Sequence, residues 1–378
     1  MPYITVQQSP IYYQMSFDDI LDGTVDLSRM IVPNVTNTRT HFKEFLKPSF
    51  LERFDFDSMI AVLEKFNEQH ENLFNVERKS LYETFYIPKK SKGLREINAP
   101  VPELMNALRQ LKSIFETNMF ALYHTSAFAY VKGRCTVDCV KRHQQNESKW
   151  FAKLDFSDFF GSTTEEFVIS MFSQIFPFSE IVKREDGLEA LKRALSLCFL
   201  NGGLPQGTPI SPTITNIMMI PIDHQLYNKL RQMDEHYVYT RYADDILISS
   251  KIGFDCNKLQ DYILDVLRKF DAPFILKKEK TRYGSSAGRN WNLGVMLNKD
   301  NEITIGHQKK KTFKAMCCNY ICDKKKGVPW DLHDVQVFSG LISYYRMIEK
   351  DYINYIIEQN NKKFGVNLEA LIKEDLAS

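Results

Sequence analysis

Three aspartates stand in settings that suit a metal site. Asp244 and Asp245 are adjacent in the segment TRYADDILIS (residues 240–249), and Asp155 follows the apolar run of AKLDF. Burying even one carboxylate among apolar residues is costly, so an adjacent pair needs a reason. A lone Asp-Asp pair is more often a hairpin turn, because aspartate favours turns. The third carboxylate, at the end of another predicted strand, favours a site for divalent cations, which bind oxygen ligands.

Such a site suits phosphoryl transfer. Two cations about 4 Å apart stabilise the attacking and the leaving oxygen of an in-line displacement. Between the carboxylates lies the loop GLPQGTPISP (residues 203–212), which is not a P-loop because it lacks the Gly-Lys-Ser/Thr ending. Glycines and prolines around Gln206 fix a backbone that a flat group can approach closely. The order is therefore a strand carboxylate, a rigid loop and a Tyr-Ala-Asp-Asp hairpin.

Composition places the chain among soluble globular proteins. Its 378 residues suffice for two or three domains, and 44% are hydrophobic and 25% charged. No run approaches the roughly 18 apolar residues of a membrane helix, and the N-terminus does not resemble a secretory signal. The seven cysteines form no repeating frame, so reduced thiols and a cytoplasmic location are expected. A net charge of +2 argues neither for nor against a nucleic-acid partner.

Hydrophobic periodicity predicts the elements that position these residues. Helical spacing covers residues 50–80, and YETFYIPKKSKGLREINAP predicts a hairpin around a basic turn. A helix is predicted from Thr213 to Met233, before the strand, turn and strand of TRYADDILIS. Lysine-rich helices follow Gln308, where the clusters at 309–311 and 324–326 are candidates for a groove that tracks a nucleic-acid backbone.

The ordered motifs resemble the palm of reverse transcriptases. LDFSDFFGS, LPQGTPISPTITN, YADD and KKEKT are similar to the family's successive palm motifs, and NLGVMLN is similar to its primer-gripping hairpin. Upstream, FYIPKKSKGLREINAP and FAYVKGRCTVDCVKRH resemble its two fingers motifs. The resemblance runs from about Tyr82 to Asn298, and seven motifs in the right order are far more specific than any one alone.

The resemblance implies an α+β fold of the right-hand polymerase type. Its parts are a helical N-terminal extension (1–80), fingers (81–150), a palm with an antiparallel sheet (151–300, with part of the fingers at 165–203) and a helical thumb (301–378). The implied activity is that of an RNA-directed DNA polymerase using two Mg²⁺ ions, with Mn²⁺ as a substitute.

The resemblance also assigns roles to individual residues. Asp155, Phe156, Asp244 and Asp245 are implied as metal ligands, with Asp244 indispensable and Asp245 more tolerant of change; Lys280 is the implied general acid near the leaving pyrophosphate. Nucleotide binding is implied for Lys89, Arg95, Lys132, Phe160, Gln206 and Gly207, and a primer grip for Leu293 and Gly294. Phe160 matches the aromatic gate that leaves no room for a 2′-hydroxyl, which implies a DNA product. Asp158 is expected to be structural.

Two departures bear on the subgroup. Retron enzymes carry Asn-Ala-x-x-His where this chain has CVKRH and keeps only His143, and Val-Thr-Gly where it has Asn292, Leu293 and Gly294. Because those signatures are tied to recognition of the retron's own RNA, the sequence favours a related bacterial enzyme of the antiphage-defence groups. Its expected partners are an RNA template, primer or associated non-coding RNA, dNTPs, the DNA product, and a second copy or a partner protein encoded nearby; no membrane is expected.

Two alternatives stay open at this point. One is a polymerase of the same fold that works without a template or primes from protein. The other is a non-catalytic scaffold that holds RNA, which predicts decay of the carboxylates, and none of the three has decayed.

Overall fold

The computed structural model describes residues 12–13, 54–88, 93–119, 121–285, 290–292, 295–298 and 300–377. Lys89, Leu293, Gly294 and most of the predicted N-terminal extension lie outside these ranges. Within them, no helix combines the length and the apolar character needed to cross a membrane.

Helices dominate the first half of the described chain. In chain order the elements are β1 (Tyr12–Tyr13), α1 (Phe56–Gln69), α2 (Glu71–Phe74), β2 (Tyr82–Pro88), β3 (Leu94–Pro100), α3 (Pro102–Ser113), α4 (Thr136–Gln145), β4 (Trp150–Ser157), α5 (Glu165–Phe172), β5 (Ile175–Phe176), α6 (Phe178–Val182) and α7 (Glu185–Ser196). A 3₁₀ turn (Arg78–Leu81) precedes β2, and a π-helical turn (Ile114–Asn118) extends α3.

The second half alternates a strand-rich stretch with a helical end. Its elements are α8 (Ser211–Met218), α9 (Ile220–Met233), β6 (Val238–Tyr242), β7 (Asp245–Ser250), α10 (Cys256–Lys269), β8 (Ile275–Leu276), β9 (Arg282–Ser285), β10 (Asn290–Asn292), β11 (Val295–Leu297), β12 (Ile303–Thr304), α11 (His307–Lys325), α12 (Leu332–Ile348), α13 (Lys350–Phe364) and α14 (Leu368–Ala377). A 3₁₀ turn spans Lys278–Lys280. Helices combined with antiparallel sheets confirm the α+β class.

The chain divides into two compact units, each assembled from three segments. Unit 1 contains residues 1–130, 156–229 and 258–277, and unit 2 contains residues 131–155, 230–257 and 278–378. The boundary falls inside β4, between Asp155 and Phe156. The predicted domains instead follow one another along the chain, and their boundaries stay a prediction.

Unit 1 is built mainly from helices around aromatic side chains. Phe115, Phe172 and Phe178 pack together with ring centroids 4.5 to 6.0 Å apart. α1 belongs to this core, since Leu63 is fully buried and the buried Asn67 amide donates to the Ala190 carbonyl of α7 at 2.9 Å. The predicted hairpin is present as β2 and β3, which pair from Tyr82 opposite Pro100 to Pro88 opposite Leu94.

Unit 2 holds an antiparallel sheet in which β4 is flanked on both sides. β7 pairs with β4 from Trp150 opposite Ser250 to Asp155 opposite Asp245, and β9 pairs with the first half of β4. β6 forms the hairpin with β7, as TRYADDILIS predicts. Ile246 and Ile248 are fully buried, which gives the hairpin a rigid apolar base.

The helical end of unit 2 has its own apolar core. Phe313, Phe338 and Ile353 are fully buried there, and Tyr345 is nearly so. Three lysines of the predicted groove clusters are used inside this bundle. Lys310 pairs with Glu349, Lys324 pairs with Asp375, and Lys325 donates to the Phe364 carbonyl at 2.6 Å. These two clusters are therefore at least partly structural, because the charges of Lys310 and Lys324 are already neutralised.

A buried chain of polar groups fixes α4 to the β6–β7 hairpin. His143 is fully buried, with Nδ1 2.6 Å from Ser249 Oγ and Nε2 2.8 Å from Thr240 Oγ1. Ser249 Oγ donates to Ser148 Oγ at 2.7 Å, and the Cys139 thiol donates to Thr240 Oγ1. These directions suit a neutral imidazole that donates to Ser249 and accepts from Thr240. Burial lowers the pKa of His143 to about 3. The ring retained from the retron signature is thus inside unit 2 and cannot contact RNA in this fold.

The neutral state of His143 predicts an acid-sensitive fold. The unfolded chain protonates this ring near pH 6.5, whereas the folded chain resists protonation down to about pH 3. Because the unfolded state binds the extra proton, stability falls as pH decreases from 6.5, by about 1.4 kcal/mol per pH unit for one such group. We expect His143→Gln to flatten the dependence of the free energy of unfolding on pH between 6.5 and 5, measured by urea denaturation.

The exposed His333 of α12 provides the matched control. His333→Gln should leave the slope unchanged, because this exposed side chain removes a histidine without touching the buried polar network. Equal slopes in wild type and His143→Gln would show that the buried ring is not the acid-sensitive group.

Candidate active site

The β6–β7 turn places two of the three predicted carboxylates. Tyr242 pairs with Asp245, so the turn consists of Ala243 and Asp244 alone. Ala243 has φ of +56°, a left-handed conformation that is unfavourable for a residue with a Cβ. The buried Arg241 guanidinium donates to the Ala243 carbonyl at 3.1 Å and holds this conformation. The turn and metal interpretations of the Asp pair are therefore compatible.

Strand pairing brings the third carboxylate to the same place. Asp155 is directly opposite Asp245 in the β4–β7 ladder and is only 7% exposed. Burial raises the pKa of Asp244, and the charges of Asp245 and Asp155 raise it further. Burial also raises the pKa of Asp245, partly offset by Lys153. The three carboxylates thus form one electrostatically coupled group, as the sequence predicts.

Two lysines neutralise part of this charge. Lys280 Nζ donates to both oxygens of Asp155, at 3.1 and 3.0 Å, and Lys153 Nζ donates to Asp245 Oδ2 at 2.7 Å. Lys280 is a predicted site residue, and the structure brings it to the carboxylates. The sequence interpretation missed Lys153, although its position two residues before Asp155 on a predicted strand places both side chains on one face.

The donor set matches what a hard divalent cation requires. Carboxylate oxygens are the ligands that Mg²⁺ prefers. A bound cation would also relieve the electrostatic repulsion among the three carboxylates of unit 2. Within the described ranges, however, no three His, Cys, Asp or Glu side chains already converge as a metal site. The contacts of Lys280 with Asp155 and of Lys153 with Asp245 are consistent with this, because each ammonium group occupies carboxylate oxygens that a cation would need.

The predicted nucleotide-binding residues of unit 1 form a separate group around the Gly/Pro loop. Leu204 N–H donates to the Phe160 carbonyl at 2.9 Å, and a Cβ on Gly203 would lie 2.0 Å from the Gly161 carbonyl oxygen. Only glycine permits this close approach. Phe160 is half-buried and packs edge-on against Phe159. Phe159 is buried and belongs to the core, whereas Phe160 lies at its edge.

The same loop is tied to the β2–β3 hairpin. Asn98 N–H donates to the Gln206 carbonyl at 2.9 Å. Gly207 has φ of +113°, and a Cβ there would lie 3.0 Å from the Asn98 carbonyl oxygen. Gln206 and Gly207 are thus held beside the strand that carries Arg95. Arg95 itself is exposed, and its guanidinium has no protein partner within the described residues.

The remaining predicted residues have simpler surroundings. The Phe156 side chain is fully buried against Phe159 and Phe274 and carries no ligand atom, so the implied metal contact would have to come from its main-chain carbonyl. The main-chain carbonyl of Asp158 accepts from Ser162 N–H at 2.9 Å, and the structural role of its exposed side chain stays a prediction. Lys132 is exposed in a turn of unit 2 and forms no ion pair with the carboxylates or with other described residues. Lys89, Leu293 and Gly294 lie outside the described ranges.

The chain is similar to bacterial reverse transcriptases over most of its length. It is 27% identical to the retron Ec83 reverse transcriptase of Escherichia coli, over 78% of this chain and 90% of that protein. Identity to the retron Ec73 reverse transcriptase of Escherichia coli is 26%, over 74% of this chain and 85% of the relative. The chain is therefore similar to retron reverse transcriptases over most of its length, although it departs from their two signatures.

Among solved structures, telomerase from Candida albicans in complex with a TWJ fragment of telomeric RNA matches 78% of this chain and 65% of its own, with 10% identity and a TM-score of 0.47. Apo telomerase from Candida tropicalis matches 80% of this chain and 60% of its own, with 11% identity and a TM-score of 0.47.

A family model described as reverse transcriptase (RNA-dependent DNA polymerase) matches residues 87–319, more than half of the chain. Such a domain implies a right-hand polymerase fold, a divalent metal, an RNA template and a DNA product. The chain belongs to the reverse transcriptase family and is an RNA-directed DNA polymerase.

Proposed function

We propose that the carboxylates of unit 2 hold two divalent cations and that the chain extends a primer with deoxynucleotides by copying an RNA. The single observation that supports this is that the β4–β7 ladder and a two-residue turn bring Asp155, Asp244 and Asp245 to the same end of the sheet. A half-buried cluster of like charges is expensive, and it is explained when a cation completes it.

Each residue then has a role that its surroundings permit. Asp155 and Asp244 hold the cations, which supply charge stabilisation to the attacking and leaving oxygens when bound. Lys280, whose side chain is 47% exposed and contacts Asp155, is the group that would donate a proton to the leaving pyrophosphate. Arg95 offers the triphosphate a planar guanidinium that binds phosphate in bidentate fashion.

The RNA partner is proposed from the relatives. Because the similar curated proteins are retron reverse transcriptases, we propose a structured non-coding RNA as template or primer, with an antiphage role in a bacterial host. The RNA that copurifies with the tagged protein, sequenced together with the neighbouring genes, tests this. Random cellular RNA in the pool would contradict a dedicated partner.

Asp244→Asn should abolish synthesis while leaving the fold intact. Losing a cation ligand removes several kcal/mol of transition-state stabilisation, so incorporation should fall by about a thousandfold or more. Because the pKa of Asp244 is raised in the folded chain, its ionised form opposes folding at neutral pH, and the amide should raise the melting temperature in EDTA. That gain should shrink as the pH falls below the raised pKa and be absent below the ordinary value of 3.8. Primer extension on a heteropolymeric RNA and thermal melting measure the two effects.

Asp351→Asn is the matched control, since Asp351 is an exposed residue in the first turn of α13. It should retain wild-type incorporation. Persistent synthesis by Asp244→Asn would overturn the proposed site, and a wild-type product unrelated to the supplied RNA would instead favour the template-independent alternative.

Phe160→Ala should admit ribonucleotides. Removing the half-buried ring opens space for a 2′-hydroxyl, and discrimination by a steric contact of this size is worth about 10 to 200-fold. Competition between dGTP and GTP in single-turnover extension measures the change. The buried neighbour provides a contrast, because Phe159→Leu should lower stability without changing the sugar preference. Unchanged selectivity in Phe160→Ala would show that another group reads the sugar.

A further inference from the structure

We propose that Lys153 is a positioning residue of the active site: its ammonium group holds the Asp245 carboxylate, so that Asp155 and Asp244 are the pair left to take the cations. This inference rests on the proposed function. It also gives a physical basis for unequal roles of the two adjacent aspartates.

The sheet geometry builds this contact. Lys153 is opposite Leu247 in the β4–β7 ladder and Asp155 is opposite Asp245, so Lys153 and Asp245 are diagonal neighbours on one face. Diagonal neighbours in an antiparallel pair lie within reach of a long side chain. Lys153 Nζ bridges the distance and approaches Asp245 Oδ2 to 2.7 Å.

The ion pair is better shielded from water than a surface pair. The Lys153 and Asp245 side chains are 21% and 18% exposed. The backbone of Lys153 is also held on both sides, since it pairs with Leu247 of β7 and with Arg282 of β9. Salt screens a shielded ion pair on a central strand less than an exposed pair. Forming the shielded pair also costs less side-chain entropy, because the packing around it already restricts both side chains.

The two lysines of the site differ in ways that separate their roles. Lys280 comes from a short 3₁₀ turn, has a side chain that is 47% exposed and contacts both oxygens of Asp155. It is thus placed to leave when a cation arrives. Lys153 contacts one oxygen of Asp245 from a rigid strand. Among the described residues, Asp244 has no ion pair, so its carboxylate is the least committed of the three.

Removing the Lys153 charge should therefore change metal binding and catalysis in opposite directions. Lys153→Met leaves Asp245 uncompensated, which increases the negative charge seen by a cation. At the effective dielectric of a partly buried site, one charge at this range changes affinity by about tenfold. The freed Asp245 then competes for the cation in unproductive arrangements, and loss of such an outer contact typically lowers turnover by about 10 to 100-fold.

The test measures Mn²⁺ binding to the full-length protein free of nucleic acid, by electron paramagnetic resonance titration, beside the Mg²⁺ dependence of primer extension. Lys153→Met should bind Mn²⁺ about tenfold more tightly, with a lower KM for Mg²⁺ and a kcat reduced by about 10 to 100-fold. Lys153→Arg should restore both values toward wild type. Lys153→Met combined with Asp245→Asn should return Mn²⁺ affinity to the wild-type level, because the pair is then neutral as a whole.

Lys251→Met is the matched control, because Lys251 pairs with Glu147 at 3.3 Å just beyond the end of β7, where both side chains are well exposed. It should change neither quantity. If Lys153→Met does not fold, Lys153→Gln makes the same change of charge. Unchanged or weaker Mn²⁺ binding in Lys153→Met or Lys153→Gln would overturn the positioning role. Wild-type Mn²⁺ binding by Asp244→Asn would instead overturn the proposed metal site.

Discussion

Mutual repulsion among three carboxylates is the constraint on which the rest of unit 2 depends. Asp155 and Asp245 face each other across a strand pair, with Asp244 in the adjoining turn, and burial makes each charge more costly. No local preference of the chain favours this arrangement. It persists because buried side chains such as Ile246 and Ile248 hold the strands and because two lysines neutralise part of the charge. Functional sites commonly carry such a cost, which the surrounding core must offset.

The support for this cluster is itself polar and buried. His143 connects α4 to both strands of the β6–β7 hairpin through hydroxyl groups. Every polar side chain of this network, from the Cys139 thiol to the Ser148 hydroxyl, has a hydrogen-bond partner. A satisfied network of this kind fixes one arrangement more strictly than apolar packing does, because a shifted register would leave buried groups unpaired. The retron signature histidine is thus better understood as part of the scaffold than as an RNA contact.

Unit 1 relies on close backbone approach instead of charge. The Phe160 turn is joined to the Gly/Pro loop through Gly161 and Gly203, and that loop is joined in turn to the β2–β3 hairpin through Gln206 and Asn98. These contacts are between main-chain groups and do not use the side chains of Phe160, Gln206 and Arg95, for which nucleotide binding stays a prediction. A site made this way tolerates few substitutions at its glycines and more at its side chains.

The sequence by itself determined the family, the α+β class, the hairpin around Asp244 and the identity of the three carboxylates, because these depend on short motifs and on local periodicity. The sequence also singled out Lys280 as a general acid, and the structure places its ammonium group on Asp155. Only the tertiary structure decided which charges pair. The contact of Lys153 with Asp245 and the burial of His143 depend on strand register and on which face of α4 meets the sheet. Lys310 and Lys324 of the predicted groove clusters likewise proved to be paired within the helical bundle. Such long-range pairings leave no signature in a single sequence. The partners are far apart along the chain, so each lysine is expected to be a solvated surface charge until the fold shows which carboxylate it contacts.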